Sequence, residues 1–229
     1  LNAPGTGKGV VIRYPDQWLS ALRVPALRGA KLISLLDHFG GIHDVFSASD
    51  SSLKGAGLKP DVIEALRNPD PDFLQSDRAW LSVETHHLIA WDDERYPPLL
   101  RDIPDPPAAL YIDGDPDALW QAQLAVIGSR NPTAGGRRNA RDFAAELARH
   151  GLTITSGLAD GIDSEAHEAA LSVDMRTVAV LGTGVDTIYP AKGADLASRV
   201  ARSGALVSEY PPGTVPRRIH FPARNRIIG

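Results

Sequence analysis

The sequence predicts an α/β fold in which a Rossmann-like parallel-sheet domain is preceded by a small all-helical domain. After residue 120, short apolar runs that end in Gly or Ser alternate with amphipathic segments, and this alternation is the pattern of βαβ units. Before residue 69, apolar residues recur at helical spacing between Gly, Pro and Ser breaks. With 43% hydrophobic and 23% charged residues, the chain of 229 residues has the composition of a globular protein with a core.

Residues 1–15 lack an apolar signal-peptide core and are expected to form a disordered leader. Residues 16–68 are expected to form the helical domain. Its predicted helices are Gln17–Leu22, Gly29–Phe39, Val45–Ala48 and Asp61–Leu66. The segment Val24–Leu32 is similar to a helix-hairpin-helix, whose glycine-rich turn offers amides to DNA phosphates. Because this turn holds only one glycine, a packing or protein-contact module is the favoured interpretation.

Residues 69–120 are rich in Pro and Asp and are expected to extend into the sheet domain. Their prolines disfavour long regular elements. A helix is predicted around Ala79–His87, and a strand over Ala109–Gly114.

The sheet domain is predicted over residues 121–229. Its predicted strands are Leu124–Ile127, Leu152–Thr155, Thr177–Leu181 and Ala205–Ser208. Its predicted helices are Gly136–His150, Asp163–Leu171 and Ala194–Arg202, and Glu209–Arg224 is expected to be a loop.

Small residues at the carboxyl ends of these strands predict a phosphate site. Open parallel sheets bind ligands at that edge, and helix N-termini there suit anions. Taken alone, each of these loops is explained as a tight turn between a strand and a helix, without any ligand. The loops favour phosphate binding when they are considered together with Arg130 and an arginine-rich tail. Residues 121–229 carry a net charge of +3, whereas residues 1–120 carry −7. The aromatic residues near the crevice are Tyr189, Tyr210 and Phe221, too few for stacking to dominate over charge.

Several classes of site are disfavoured. The loop after the first strand of the sheet domain lacks the G-x-G-x-x-G pattern of dinucleotide sites, and Gly5–Gly9 is not a phosphate-binding P-loop. The chain contains no Cys and no metal-binding spacing of His and carboxylates, so no cofactor or metal is expected. Asp163 is expected to be a helix N-cap and His167 a packed, hydrogen-bonding histidine, so no catalytic residue is assigned. No apolar stretch approaches the roughly 18–20 residues of a membrane span.

Five motifs resemble, in order and spacing, those of the DNA-processing protein A (DprA, also called Smf) family. They are Ile127–Thr133, Thr155–His167, Val178–Pro190, Leu206–Gly213 and Phe221–Ile228. Upstream, Trp91–Leu100 and Ile103–Pro107 resemble the family's extension before the sheet, and residues 16–68 resemble its sterile-alpha-motif-like (SAM-like) domain. The resemblance covers nearly the whole chain from about residue 16.

This resemblance implies a non-enzymatic, cytoplasmic protein of natural transformation that binds and protects incoming single-stranded DNA, forms a homodimer and helps to load the RecA recombinase. It also implies a set of DNA-contacting residues. They are Gly128, Ser129, Arg130, Ser156, Gly157, Lys192, Arg224, Asn225 and Arg226.

The chain departs from the family pattern in three ways. Gly193 occupies a position where the family often has Asn, and Asp160 places an acid in a loop where DNA is expected to pass. The family pattern continues with further strands after the position of Gly229, so the sheet domain is expected to lack its C-terminal part.

Two other functions are compatible with the sequence. One is a nucleotide-acting enzyme of a related Rossmann-like fold, the phosphoribohydrolase type, although the chain lacks that type's P-G-G-x-G-T loop. Release of free base from nucleoside monophosphates would identify it. The other is an interaction protein whose helical domain docks a partner. Deletion of residues 1–70 would then abolish function without changing DNA affinity.

Overall fold

The computed structural model describes residues 12–229, so most of the predicted leader lies outside the described residues. The described residues form two compact units. The helical unit comprises residues 12–83 and Leu88–Leu110, and the sheet unit comprises Glu84–His87 and Tyr111–Gly229.

The helical unit is built from short helices. They are α1 (Pro15–Arg23), α2 (Ala30–Phe39), α3 (Ile42–Ser47), α4 (Asp50–Gly55), α5 (Pro60–Arg67), α6 (Pro71–Leu81) and α7 (Pro98–Arg101). Trp18, Leu27 and Leu66 are fully buried in its core. The carboxylate of Asp77, also fully buried, receives two hydrogen bonds from the Arg23 guanidinium, and this pair links α6 to α1.

The helix predicted over Ala79–His87 is wrong for most of its length, because α6 ends at Leu81 and His86–Ala90 is a strand, β1. The prolines of this segment were expected to disfavour long regular elements, but α6 begins at one of them, Pro71. Asp70 accepts a hydrogen bond from the amide of Asp72 at 2.9 Å, and Pro71 occupies the first helical turn, where a missing N–H costs nothing.

The sheet runs in the order β1-β2-β6-β5-β4-β3. The strands after β1 are β2 (Ala109–Gly114), β3 (Gln123–Ala125), β4 (Thr153–Ser156), β5 (Thr177–Val180) and β6 (Ala205–Ser208). The accompanying helices are α8 (Ala134–Arg149), α9 (Ile162–Leu171), α10 (Ala194–Ser203) and α11 (His220–Ile228), with short 3-10 turns at Pro116–Trp120 and Ala191–Gly193. Strands β3 to β6 are parallel, whereas β2 pairs antiparallel with β6. The predicted α/β class is confirmed.

Small side chains let α8 and α9 approach the sheet closely. Ala144 and Ala148 of α8 and Ala166 and Ala170 of α9 are buried around Ile154 of β4. Strands β4, β5 and β6 are buried throughout, whereas all residues of β3 are exposed. This packing brings the carboxyl ends of four parallel strands to one edge.

The predicted loop Glu209–Arg224 is wrong at its C-terminal end, because α11 begins at His220. Pro222 lies within the first turn of this helix, a position that tolerates proline. The imidazole of His220 stacks on Tyr210 at 4.1 Å between centroids and hydrogen bonds to the Gly182 carbonyl at 3.1 Å. These contacts join the start of α11 to the loops after β5 and β6.

Candidate functional site

The loop after β3 is fixed by the loop after β4. The hydroxyl of Ser156 donates to the carbonyl of Val126 at 2.6 Å, and the amide of Ile162 donates to the carbonyl of Ser129 at 3.1 Å. Gly161 has a φ of +89°, and a Cβ added there would lie 2.2 Å from the Ser129 oxygen and 2.8 Å from the Arg130 carbonyl group. Only glycine permits so close an approach, so the backbone that carries Arg130 is held in one place.

Beneath these loops, α9 presents Asp163 to the interior, where 6% of the residue is exposed. Burial raises the pKa of this carboxyl group, while the charge of Arg224 and the backbone N–H groups of Ala159, Gly128 and Gly157 oppose the rise. Asp163 was expected to cap the helix. That expectation is wrong, since α9 begins after Gly161 and Asp163 lies within its first turn.

The expectation of a packed, hydrogen-bonding His167 is confirmed. Its side chain is fully buried, and Nδ1 lies 2.7 Å from the hydroxyl of Thr177. This hydroxyl donates its own proton to the Ile154 carbonyl, so it accepts from Nδ1–H and leaves Nε2 unprotonated. Nε2 has no hydrogen-bond partner among the described residues. Burial, aided by the charge of Arg224, lowers the pKa of His167 to about 3, so the ring is neutral at physiological pH.

Arg224 lies inside the edge of the sheet and not on its surface. Only 4% of the residue is exposed, and its guanidinium donates to the carbonyl of Gly157 at 2.8 Å and to that of Val180. Burial lowers its pKa, and the charge of Asp163 counteracts this effect. A Cβ added at Gly157 would lie 2.4 Å from the guanidinium, so any larger residue there would displace it. Arg224 therefore ties α11 to the ends of β4 and β5 and presents no free charge to the crevice.

Two further basic residues of the predicted set are engaged by acids. The guanidinium of Arg226 donates to both carboxylate oxygens of Glu209 at 2.6 and 2.7 Å, and the side chains are 19% and 9% exposed. The ammonium of Lys192 lies 3.0 Å from the carboxylate of Asp160 at a far more exposed position. Asn225 is exposed, and its Oδ1 accepts from Nε of Arg224 at 3.2 Å.

Arg130 differs from these residues. It is exposed and makes no hydrogen bond or ion pair with any residue in the described part of the chain. Its guanidinium carbon lies 5.6 Å from the ring centroid of Phe221, which in turn lies 5.7 Å from the centroid of Tyr189. Tyr189 is 48% exposed. The structure thus places an unneutralised cation beside Phe221, and Tyr189 lies next to that ring.

The loop between β6 and α11 carries two more exposed cations, Arg217 and Arg218, which form no ion pair within residues 12–229. The predicted set omitted them, although the run of tail arginines without an acid was visible in the sequence. Their loop is held by Asp186, whose carboxylate accepts from the Gly213 amide at 2.8 and 3.0 Å.

Within residues 12–229, no group of three or more His, Cys, Asp or Glu side chains is arranged to hold a metal ion. In the same range, no helix combines the length and apolar character that crossing a membrane requires.

A family profile described as DNA recombination-mediator protein A matches residues 87–229. Protein Smf of Escherichia coli is 49% identical over 156 residues, which cover 68% of this chain and 42% of that protein. Protein Smf of Synechocystis is 38% identical over 221 residues, 92% of this chain and 54% of that protein. The chain thus spans about half the length of these curated relatives.

Two solved structures are similar to the fold. The X-ray structure of DNA processing protein A (DprA) from Streptococcus pneumoniae has a TM-score of 0.69 at 30% identity and covers 93% of this chain and 74% of that one. DNA processing protein A from Helicobacter pylori, described for its single-stranded DNA binding mode, has a TM-score of 0.56 at 32% identity and covers 62% of this chain and 64% of that one. The chain belongs to the family of DNA recombination-mediator protein A, the DprA/Smf family.

Proposed function

We propose that the sheet unit captures single-stranded DNA, chiefly through its phosphates and without reading the base sequence. The observation that carries this proposal is Arg130, an exposed cation that no described residue neutralises and whose backbone is clamped by the close approach of Gly161. A guanidinium matches the geometry of phosphate oxygens. Because the loop is already ordered, little conformational entropy is lost when DNA binds.

The aromatic rings beside Arg130 suit a single strand better than a duplex. Unpaired bases expose faces that stack on aromatic side chains, and this contact tolerates any sequence. Tyr189 is half-exposed and lies next to Phe221, so the pair offers a stacking surface beside the phosphate contact. The bases of a duplex are already stacked on one another and have no free face for it.

Arg217 and Arg218 extend the phosphate contacts along the same edge of the sheet. Their loop leaves β6, just as the Arg130 loop leaves β3, and both loops are at the carboxyl ends of parallel strands. Gly128 and Ser129 are exposed beside Arg130 and line the same surface. Ser156 and Gly157 are buried and serve the site by fixing these loops.

The residues that could have supported catalysis are all committed to structure, which favours a non-enzymatic role. The Ser156 hydroxyl is bonded to a carbonyl, Asp163 is buried behind the loops, and His167 is neutral and fully buried. We therefore place this protein with the DNA-processing proteins of natural transformation. In this role it acts in the cytoplasm as a homodimer, protects incoming single strands and helps to load the RecA recombinase. Membership of the DprA/Smf family supports these assignments.

The test is the fluorescence anisotropy of a labelled oligo-dT titrated with the chain at several salt concentrations, beside a matched duplex. Three unpaired arginines predict a slope of log K against log salt of about −2, at about −0.7 per contact for single strands. Arg130→Glu is expected to lower the affinity at least tenfold and to make the slope shallower by about 0.7.

The matched control is Arg138→Glu, the same charge change at an exposed arginine of α8 that has no ion pair within residues 12–229. It is expected to alter the affinity only slightly. Equal losses for the two variants would refute the role of Arg130, and equal binding of single strand and duplex would refute the preference for single strands.

A further inference from the structure

The ion pair between Asp160 and Lys192 joins two loops at the proposed binding edge. Asp160 lies in the loop after β4, and Lys192 lies in the 3-10 turn that follows the β5 loop. Their Oδ2 and Nζ atoms are 3.0 Å apart, with side-chain exposures of 43% and 71%. Neither side chain makes another hydrogen bond or ion pair within residues 12–229.

The backbone of Asp160 is held on both sides. The residue before it, Ala159, accepts hydrogen bonds from both the hydroxyl and the amide of Ser164, at 2.7 and 3.2 Å. The residue after it, Gly161, lies against the carbonyl groups of Ser129 and Arg130. The carboxylate of Asp160 therefore stays in the neighbourhood of the phosphate contact, and only its side-chain rotation is free.

We infer that Asp160 is an affinity-setting residue, which occupies Lys192 in the free chain and must be displaced when a phosphate binds there. This inference rests on the proposed function. The counterions released on binding are cations condensed on the DNA, and a Lys192–Asp160 pair with no net charge displaces few of them. The displaced carboxylate then faces a polyanion. Lys192 thus adds little net affinity, in contrast to Arg130, which has no partner to give up.

The pair between Arg226 and Glu209 does not act in this way. It is bidentate and mostly buried, and removing one partner of a buried pair leaves an uncompensated charge. Replacing Glu209 by a phosphate as the partner of Arg226 is therefore costly, and Arg226 keeps a structural role. The exposed pair is the one that a ligand can open, because solvent-exposed ion pairs contribute little free energy.

The test is Asp160→Asn in the whole chain, with the oligo-dT and salt series already described. Freed Lys192 is expected to raise the affinity about two- to fivefold, the factor that corresponds to an exposed ion pair, and to make the salt slope steeper by about 0.7. Asp142→Asn is the control for net charge, since Asp142 is exposed on α8 and unpaired within residues 12–229. Its effect is expected to be smaller and to leave the slope unchanged.

Lys192→Gln completes a double-mutant cycle. Alone it is expected to weaken binding slightly, because it leaves the Asp160 carboxylate unpaired beside the DNA. In the Asp160→Asn background it is expected to cause a larger loss that removes the gain in affinity and slope. The inference is overturned if Asp160→Asn behaves like Asp142→Asn, or if Lys192→Gln weakens binding equally in both backgrounds. If Arg130→Glu still abolishes binding in that case, the proposed function stands and only the role of Asp160 fails. Absence of any single-strand binding by the unmodified chain would overturn both.

Discussion

Replacing Gly161 by alanine tests whether the clamp between the first two loops of the sheet unit determines the binding site. Gly161 has φ +89° and ψ −125°, a region that only glycine occupies readily, so alanine pays about 1–3 kcal/mol of backbone strain. The new Cβ would also lie 2.2 Å from the Ser129 oxygen and 2.8 Å from the Arg130 carbonyl group. Both neighbours are backbone atoms, so the Arg130 loop must move.

Gly151 provides the matched control. It has a φ of +86° and no atom within 4 Å of an added Cβ, so Gly151→Ala introduces only backbone strain, about 1–2 kcal/mol. Urea unfolding should show a loss of that size for the control and a larger loss for Gly161→Ala. Anisotropy with oligo-dT should show at least a tenfold loss of affinity for Gly161→Ala and almost none for the control. Equal effects of the two substitutions on stability and affinity would refute the clamp.

Two further predictions concern stability. The pKa of His167 falls to about 3 in the folded chain, against about 6.5 when unfolded. Below pH 6.5 only the unfolded chain gains this proton, so acidification from pH 7 to 5 should cost about 2 kcal/mol of unfolding free energy, and His167→Gln should remove this part of the pH dependence. An unchanged pH dependence would contradict the buried, neutral ring. Asp77→Asn should destabilise the helical unit by about 3 kcal/mol, because it leaves Arg23 without its buried partner. Hydrogen exchange of α1 amides measures this loss, and Asp16→Asn, which breaks an exposed pair with Arg78, should change exchange much less. Similar protection in the two variants would count against the buried pair.

Much of the sheet unit was predictable because local patterns specify it. Strands β5 and β6 are buried throughout, and each contains the continuous apolar run that is typical of a strand buried on both faces. Helix α11 was not predictable in the same way. Its sequence contains a proline near the start and a polar stretch, Arg224–Arg226, between its apolar residues. Contacts made by His220 and Arg224 with distant loops hold it.

The same division holds for the site. Gly128, Ser129 and Arg130 follow a strand directly, and their exposure at the sheet edge agrees with what the pattern predicts. The role of Arg224 could not be predicted, because arginine in a basic tail suggests a surface phosphate contact. Its guanidinium instead satisfies two backbone carbonyls in the interior.

The sequence by itself determined the fold class, the family and the edge of the sheet where we propose the site, because strand period, small-residue turns and motif order are local properties of the chain. The tertiary structure decided which basic residues are available to a ligand. Arg130, Arg217 and Arg218 remain without ion pairs within residues 12–229, while Lys192 and Arg226 are paired with acids. The physical reason is that the charge available to a ligand depends on burial and on neighbours. For Lys192 that neighbour is Asp160, 32 positions away in the sequence and 3.0 Å away in the fold.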